Sequence, residues 1–405
     1  MISCGENREL EYEDRTEVND WIHAQMKENY LYASSMKNLS ENSWYAIPEI
    51  FFEMLRTSNE MRGGSYVSEL YEGTIPLALS YGYLYDYYSF DTLQCVRVVY
   101  VAPQSPAAEA GMVRGDWILG YNGLKITDKN YQNLSLTSLG GYTLAMGRTV
   151  SYQEGKPVIQ KEKDIRVQAP RLLTGSPVEK DTVFEWVGRK VGYLLYSRFE
   201  ADASGGDDFS GSYNEDLRRA CASFASQGVQ ELVLDLRFTT GTALDCAQLL
   251  GTMLAPTMIY NSPFCYQVYN ANHPTIKRLF SPSIIGAGRN LNLSSLYVIT
   301  SSRTQGAAEM LINNLFPYMR VIVVGMKTGG YDLLTDSYTH TDYGLRTLKL
   351  ATNIVMNADT LSFSNGINPS VKVSEKDSIA YPCLPLGNLQ EILLHRTLEV
   401  MRDSL

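Results

Sequence analysis

The stretch TSSRTQGAAEML, residues 300–311, sets polar and charged side chains around a reversal of the chain. Leu296 to Ile299 before it read as a strand, and Ala307, Ala308, Leu311, Ile312 and Leu315 after it repeat at helical spacing. A strand, a sharp turn and a helix N-terminus make a common seat for a nucleophile or an anion, because the first helical amides have no partner within the helix. The residue at the tip is Gly306, which has no side chain to react. Ser301 and Ser302 lie just before the helix start, and Lys327 follows the next apolar run. A serine hydroxyl needs a base to take its proton, and a lysine becomes one when burial lowers its pKa. Both serines precede the helix amides, however, and Lys327 reads as a solvated lysine, so turn hydroxyls and surface charge are the expectation for all three.

No other set of residues offers simpler chemistry. The histidines His23, His273, His340 and His395 are scattered, with no partner at zinc-motif spacing. Cys95, Cys221, Cys246, Cys265 and Cys383 show no CxxC pattern, and Cys221 and Cys246 sit among apolar neighbours as buried thiols. Neither a metal nor a cofactor is expected. A net charge of −9 without a Lys/Arg cluster argues against nucleic acid as a partner. Hydrophobic content of 44% over 405 residues gives ample material for two or three cores. No apolar run reaches the length of a membrane-spanning helix.

The elements that must hold the turn follow from the pattern of apolar residues. From about residue 180, apolar strands alternate with helices: KVGYLLYSRF, the helix around Leu217, Ala220, Cys221 and Phe224 ended by Gly228, ELVLDLRF, the helix ALDCAQLLGTML, LYVIT and RVIVVG. This order predicts an α/β core with a mostly parallel sheet over 180–405. Three loops, LRFTTGT, TSSRTQG and GMKTGGYD, fall at carboxyl ends of strands, where ligand crevices form in such sheets. Residues 15–72 read as a helical domain, with Val18, Trp21, Ile22 and Met26 and then Ile50, Phe51, Met54 and Leu55 inward. Residues 73–172 change to a β period, with YNGL as a tight turn and the RGD at 114–116 as part of a turn framework. The last helix is expected over Leu389–Met401, with Leu389, Ile392, Leu393 and Val400 inward. The opening MISCGENRELEYED is expected to be a flexible tether over 1–14, in which ISC resembles the end of a bacterial lipobox and Cys4 would carry the lipid.

These blocks together resemble the S41 family of C-terminal processing peptidases, in the lipoprotein form found in Bacteroides-like bacteria. VNDWIHAQMKENYLY is similar to that group's N-terminal helix and VYVAPQSPAAEAGMVRGDWILGYNG to its PDZ domain. VGYLLYSRFE, GVQELVLDLRFTTG, LYVITSSRT, NNLFPYMRVIVVG and GINPSVKV match successive blocks of its ClpP/crotonase-like core. The resemblance implies a multi-domain α+β chain and Ser/Lys peptidase chemistry. It also implies which residues should carry that chemistry. The family's SASE run falls on GAAE, so the nucleophile position is Gly306. The lysine position falls on Tyr331 in TGGY, and the oxyanion loop LRxNGGG reads LRFTTGT, leaving Thr240, Gly241 and Ala307 as its remnants. On this resemblance the chain is a serine-peptidase homologue without its dyad, a peptide-binding or scaffold lipoprotein of the cell envelope, in the periplasm or at the outer membrane, anchored to the membrane through Cys4. The alternative is an active serine endopeptidase using non-standard residues. Peptide or protein C-termini are the expected partners, held in the PDZ carboxylate loop and strand at Tyr81, Gly82, Tyr83, Leu84 and Tyr85.

Overall fold

The computed structural model describes residues 9–60, 64–70, 79–91, 93–135, 140–341 and 345–404. Cys4 lies outside the described residues, as does most of the 1–14 tether. The chain divides into two compact units: one drawn from residues 1–76, 261–279 and 330–365, the other from 77–260, 280–329 and 366–405.

The larger unit contains the predicted crossovers. Strands Arg189–Tyr196, Glu231–Asp235, Ser295–Thr300, Arg320–Gly325 and Val371–Lys372 lie side by side in that order, each parallel to the next. Helices Ser212–Gln227, Leu244–Leu254 and Ala307–Leu315 fall between the first four. The strand centres are apolar on both sides because both sheet faces are covered. Tyr193, Val233, Ile299 and Val324 pack against Leu393, Leu394, Leu398 and Met401 of helix Ile392–Ser404. Leu393 is buried as the periodicity predicts. Leu389, Ile392 and Val400 are only partly covered, and Leu394, Leu398 and Met401 take the inward face.

A second sheet in this unit runs Tyr83–Ser89, Gln94–Val101, Trp117–Tyr121, Tyr142–Gln153 and Lys156–Lys161, all antiparallel. The YNGL reversal is made by Asn122 and Gly123, both at positive φ (47° and 80°), as a two-residue hairpin turn of primed type requires. In the RGD run, Asp116 accepts the Val113 amide (2.9 Å) within the turn, while the Arg114 side chain is buried.

The smaller unit is a five-stranded antiparallel sheet of Tyr66–Leu70, Pro263–Tyr269, Ile276–Leu279, Leu333–His340 and Leu345–Met356. Helices Glu9–Asn29 and Pro48–Leu55 pack on it through Val18, Ile22, Met26, Phe51, Phe52 and Leu55. Ile50 and Met54 do not point inward as expected. They are exposed, because Phe51, Phe52 and Leu55 form the helix's inward stripe.

The expectation of a mostly parallel sheet over 180–405 is overturned. Parallel pairing is confined to one sheet, and even there the edge strand Val178–Trp186 runs antiparallel. Every pair in the other sheets is antiparallel among the described residues, so the chain is a multi-domain α+β fold with mostly antiparallel pairing. Beyond Gly325 the crossover helices stop. Strands Leu333–His340 and Leu345–Met356 follow one another with a short connection, which can only return the chain antiparallel.

A buried ionic cluster joins the elements of the larger unit. Arg237, 1% exposed, gives its guanidinium to Asp235 (2.8 Å), Glu391 (2.8 Å) and Glu375 (3.3 Å). Arg114 pairs with the same Glu375 (2.7 Å) and Glu391 (3.3 Å). Burial alone would push the Glu391 carboxyl up, but Arg237 and Arg114 outweigh it and hold it down at about 2, against an ordinary 4.5. A carboxylate held low contributes stability above its unfolded pKa and loses it as pH falls through the folded one. The unfolding midpoint of the chain should therefore drop as pH falls from about 4.5 toward 2. Glu391→Gln should lower stability at neutral pH by about 3–5 kcal/mol, the usual effect of breaking a buried pair, and flatten that acid limb in calorimetric scans.

Candidate functional site

The parallel order of the strands ending at Asp235, Thr300 and Gly325 brings the three predicted loops together. The turn after Thr300 is fixed by side chains. Thr304 donates to the Leu236 carbonyl (2.8 Å), and Ser301 donates to the carbonyl of Arg237 and accepts the Arg303 amide (3.0 Å). From the third loop, the Gly329 amide donates to Thr304 (2.8 Å). Glu309, fully buried, accepts the Gly306 amide (3.1 Å) with one oxygen and the Thr328 hydroxyl with the other. Thr328 in turn exchanges hydrogen bonds with Ile367 (2.7 and 3.1 Å). Glu309 therefore acts as a strut between the turn and the loop 326–329.

At the tip, Gly306 has φ +66° and ψ −124°, a sharp strand-to-helix elbow that glycine adopts freely and a residue with a side chain only under strain. The space a side chain would need is already filled. A Cβ at Gly306 would overlap the carbonyl oxygen of Gly241 and lie 3.3 Å from Thr242 Cγ2. The Ala307 amide, an expected oxyanion donor, donates to that same Gly241 carbonyl (3.0 Å). Gly241 has φ +97°, and a Cβ there would meet the Phe199 carbonyl oxygen at 2.5 Å. Its neighbour Thr240 forms a parallel bridge with Arg198, giving its amide to Ser197 (3.3 Å) and taking that of Phe199 (3.0 Å). Thus Gly306, Ala307, Thr240 and Gly241 are brought together, and the amides of Gly306 and Ala307 are not bare. They are closed by Glu309 and by the chain's own carbonyl.

Tyr331 belongs to the smaller unit. Its hydroxyl occupies the space a side chain at Gly64 would take, 2.6 Å from a Cβ there. Burial and the charge of Glu60 raise its pKa, so the phenol stays protonated at neutral pH. Ser302 and Lys327 are exposed, and among the described residues no lysine or histidine nitrogen is hydrogen-bonded to the hydroxyl of Ser301 or Ser302.

In the antiparallel sheet the tyrosines expected at a peptide site face the interior. Tyr81 and Tyr83 are 3% and 8% exposed. Tyr81 donates to Gly140 (2.6 Å), Tyr83 bonds Tyr142 (2.6 Å), and Tyr85 donates to Tyr131 (2.9 Å). Gly82 has φ +81°, and a Cβ there would overlap Ser105. Leu84 packs with Val99, Tyr100 and Phe238. Strand Tyr83–Ser89 pairs only with Gln94–Val101 among the described residues, so its outer backbone edge is its remaining binding feature. Arg303, from the turn before Gly306, reaches this strand and donates to the Tyr85 carbonyl and the Asp86 carboxylate, both at 2.7 Å. Sequence reasoning missed Arg303, because nothing in SSRT signals a partner more than two hundred residues away. It also missed the Glu309–Thr328 strut.

Comparison with known proteins matches this geometry to a family. The sequence model of peptidase family S41 matches residues 190–373, that of the peptidase S41 N-terminal domain residues 17–68, and that of a PDZ domain residues 97–135. A crystal structure of a Bacteroides fragilis chain assigned to the S41 proteases is 36% identical, with a TM-score of 0.81, covering 95% of this chain and 97% of that one. The chain belongs to peptidase family S41. A carboxyl-terminal-processing protease of Picosynechococcus is 26% identical over 239 residues, 59% of this chain and 51% of that protein. The chloroplastic carboxyl-terminal-processing peptidase 1 of Arabidopsis thaliana is 23% identical over 60% of this chain and 45% of its own length. The chain spans about half the length of these curated relatives. The structure of the photosystem II D1 C-terminal processing protease shares the fold at 14% identity and a TM-score of 0.54, covering 97% of this chain and 98% of that one.

Within this S41 frame, Gly306→Ser is expected to destabilise the protein. The positive φ costs a non-glycine residue about 1–3 kcal/mol, and the side chain must displace the Gly241 carbonyl. The measured Tm should fall, and a fluorogenic peptide should remain uncut by both Gly306→Ser and Gly306→Ser/Tyr331→Lys.

Proposed function

We propose that this S41-family protein is a non-catalytic, peptide-binding member of the family at the bacterial cell envelope. The observation that carries the reading is the turn at Gly306. It has no nucleophile, and its oxyanion amide at Ala307 is satisfied by the Gly241 carbonyl. Tyr331 at the lysine position, with its phenol pKa raised, supports the same reading. The division into a 1–14 tether, a 15–72 helical domain, a 73–172 PDZ domain and a 180–405 core is part of this proposal, supported by the three family matches. So is lipidation at Cys4, which would place the chain in the periplasm or at the outer membrane and is testable by labelling cells with an alkyne palmitate. Among the described residues no helix is long and apolar enough to cross a membrane.

A second reading, an active serine endopeptidase using non-standard residues, is favoured by the relatives, which are named carboxyl-terminal-processing proteases. Incubating the wild type with casein and with C-terminal peptides separates the two. No cleavage is expected. Cleavage lost on Ser301→Ala or Ser302→Ala would establish the second reading instead.

For the binding itself, a PDZ domain takes a peptide as an added strand on its edge, and here that edge is the backbone of Tyr83–Ser89. Arg303 already takes one of its carbonyls. Hydrogen bonds to a charged group contribute about 1.5–3 kcal/mol, so Arg303→Ala should tighten binding of an apolar C-terminal peptide by roughly tenfold or more. Unchanged affinity, read by fluorescence anisotropy, would mean that the peptide does not use this edge.

A further inference from the structure

A cleft of about 270 Å³ opens on the antiparallel sheet of the smaller unit, between the Pro263–Tyr269/Ile276–Leu279 hairpin and strand Leu333–His340. Two tyrosines, Tyr269 and Tyr338, form its aromatic walls, and Ile276 and Pro274 supply apolar surface. Asp336 lies two residues from Tyr338 and therefore on the same face of its strand. One carboxylate oxygen, Oδ2, accepts the Thr352 hydroxyl (2.7 Å), which holds the group in place. Asp336 is exposed and makes no ion pair among the described residues. His273 lies tilted against Tyr269 (centroids 6.0 Å apart, 60° between the rings) and bonds Asn29 (3.2 Å), with Glu28 3.9 Å from its ring. No lysine or arginine lines the cleft. Arg278, whose charge reaches Tyr269, donates its Nε–H to Gln267 (2.8 Å) and is not part of the lining.

The chemistry is one-sided. Burial and the Asp336 charge both raise the two phenols, Tyr338 to about 12, against a smaller opposing pull of Arg278 on Tyr269, so both rings are neutral at physiological pH. Neither hydroxyl has a hydrogen-bond partner among the described residues. An exposed carboxylate without a counter-ion beside two tyrosine faces suits a cation: the carboxylate supplies charge and the ring faces attract a cationic head through their quadrupoles. The volume suits one long side chain and excludes a folded segment.

We propose that this cleft binds the basic side chain, lysine or arginine, of a polypeptide. It shares no residue with the turn at Gly306 or with the edge at Tyr83–Ser89, so the proposal stands whichever reading of those sites holds.

The test uses the full chain and three capped tripeptides, Ac-Gly-Lys-Gly-NH2, Ac-Gly-Arg-Gly-NH2 and the norleucine analogue, read by saturation-transfer NMR. The lysine or arginine peptide should bind at least tenfold tighter than norleucine, and the two arms tell which head group is preferred. Asp336→Asn, which keeps the shape of the cleft, should erase that difference, and Tyr338→Ala should weaken the basic peptide severalfold while Tyr338→Phe keeps it. Raising the salt should weaken binding to the wild type. Equal binding of norleucine, no change on Asp336→Asn, or no saturation transfer to any basic peptide would overturn the proposal. Unchanged Tm of the Asp336→Asn protein serves as the folding control.

Discussion

The larger unit depends on one buried guanidinium. Arg237 sits at the end of strand Glu231–Asp235 and has almost no access to water. A charge in such a place is tolerated only with its hydrogen-bonding groups engaged and its charge balanced. Asp235 behind it, Glu391 from the start of the last helix and Glu375 from the loop before it provide that balance. Arg114 brings the antiparallel sheet to the same carboxylates. The loop that follows Arg237 is the one whose Gly241 carbonyl closes the Ala307 amide, and the carbonyl of Arg237 itself takes the Ser301 hydroxyl. The position of both candidate loops is thus set from beneath by a charge cluster, and their chemistry is set by what stands above it.

Arg114 also shows how a short motif misleads when read as surface. In RGD the arginine is a buried counter-charge and the aspartate holds a turn amide, so neither is presented as an adhesion motif would require. The free cysteines tell a similar story. Burial raises the Cys221 and Cys246 thiols to about 12, which makes them packing residues.

What was legible in the sequence was local. The strand–helix alternation over 190–254 and again over 295–325, the YNGL turn and the elbow at Gly306 each depend on residues within a few positions of one another, and those patterns predict them, whereas the hairpin Pro263–Tyr269/Ile276–Leu279 between the two stretches was not predicted. Pairings between distant segments were not legible. Strand Leu345–Met356 looks extended in sequence, but nothing in it states that it lies beside Tyr66–Leu70 instead of extending the parallel sheet. In PEIFFEML both faces of the helix are apolar, so periodicity did not separate Phe51 and Phe52 from Ile50 and Met54. At the site, resemblance assigned the nucleophile and lysine positions to Gly306 and Tyr331. The closure of the Ala307 amide by Gly241 and the reach of Arg303 to Asp86 exist only once the chain is folded.

The sheet of the smaller unit ties together segments far apart in the chain. Its first strand, Tyr66–Leu70, pairs with Leu345–Lys349, and the helices around Ile22 and Phe51 cover Leu348 and Leu350. The apolar stripe of those helices therefore has no native cover until the distant segment Leu345–Met356 is in place. The first four parallel strands of the larger unit lie before that segment, between residues 189 and 325, while its fifth strand Val371–Lys372 and the carboxylates of Glu375 and Glu391 lie after it. Loss of Leu345–Met356 would therefore strip the cover from Ile22 and Phe51 first, even though more than two hundred residues separate them in sequence.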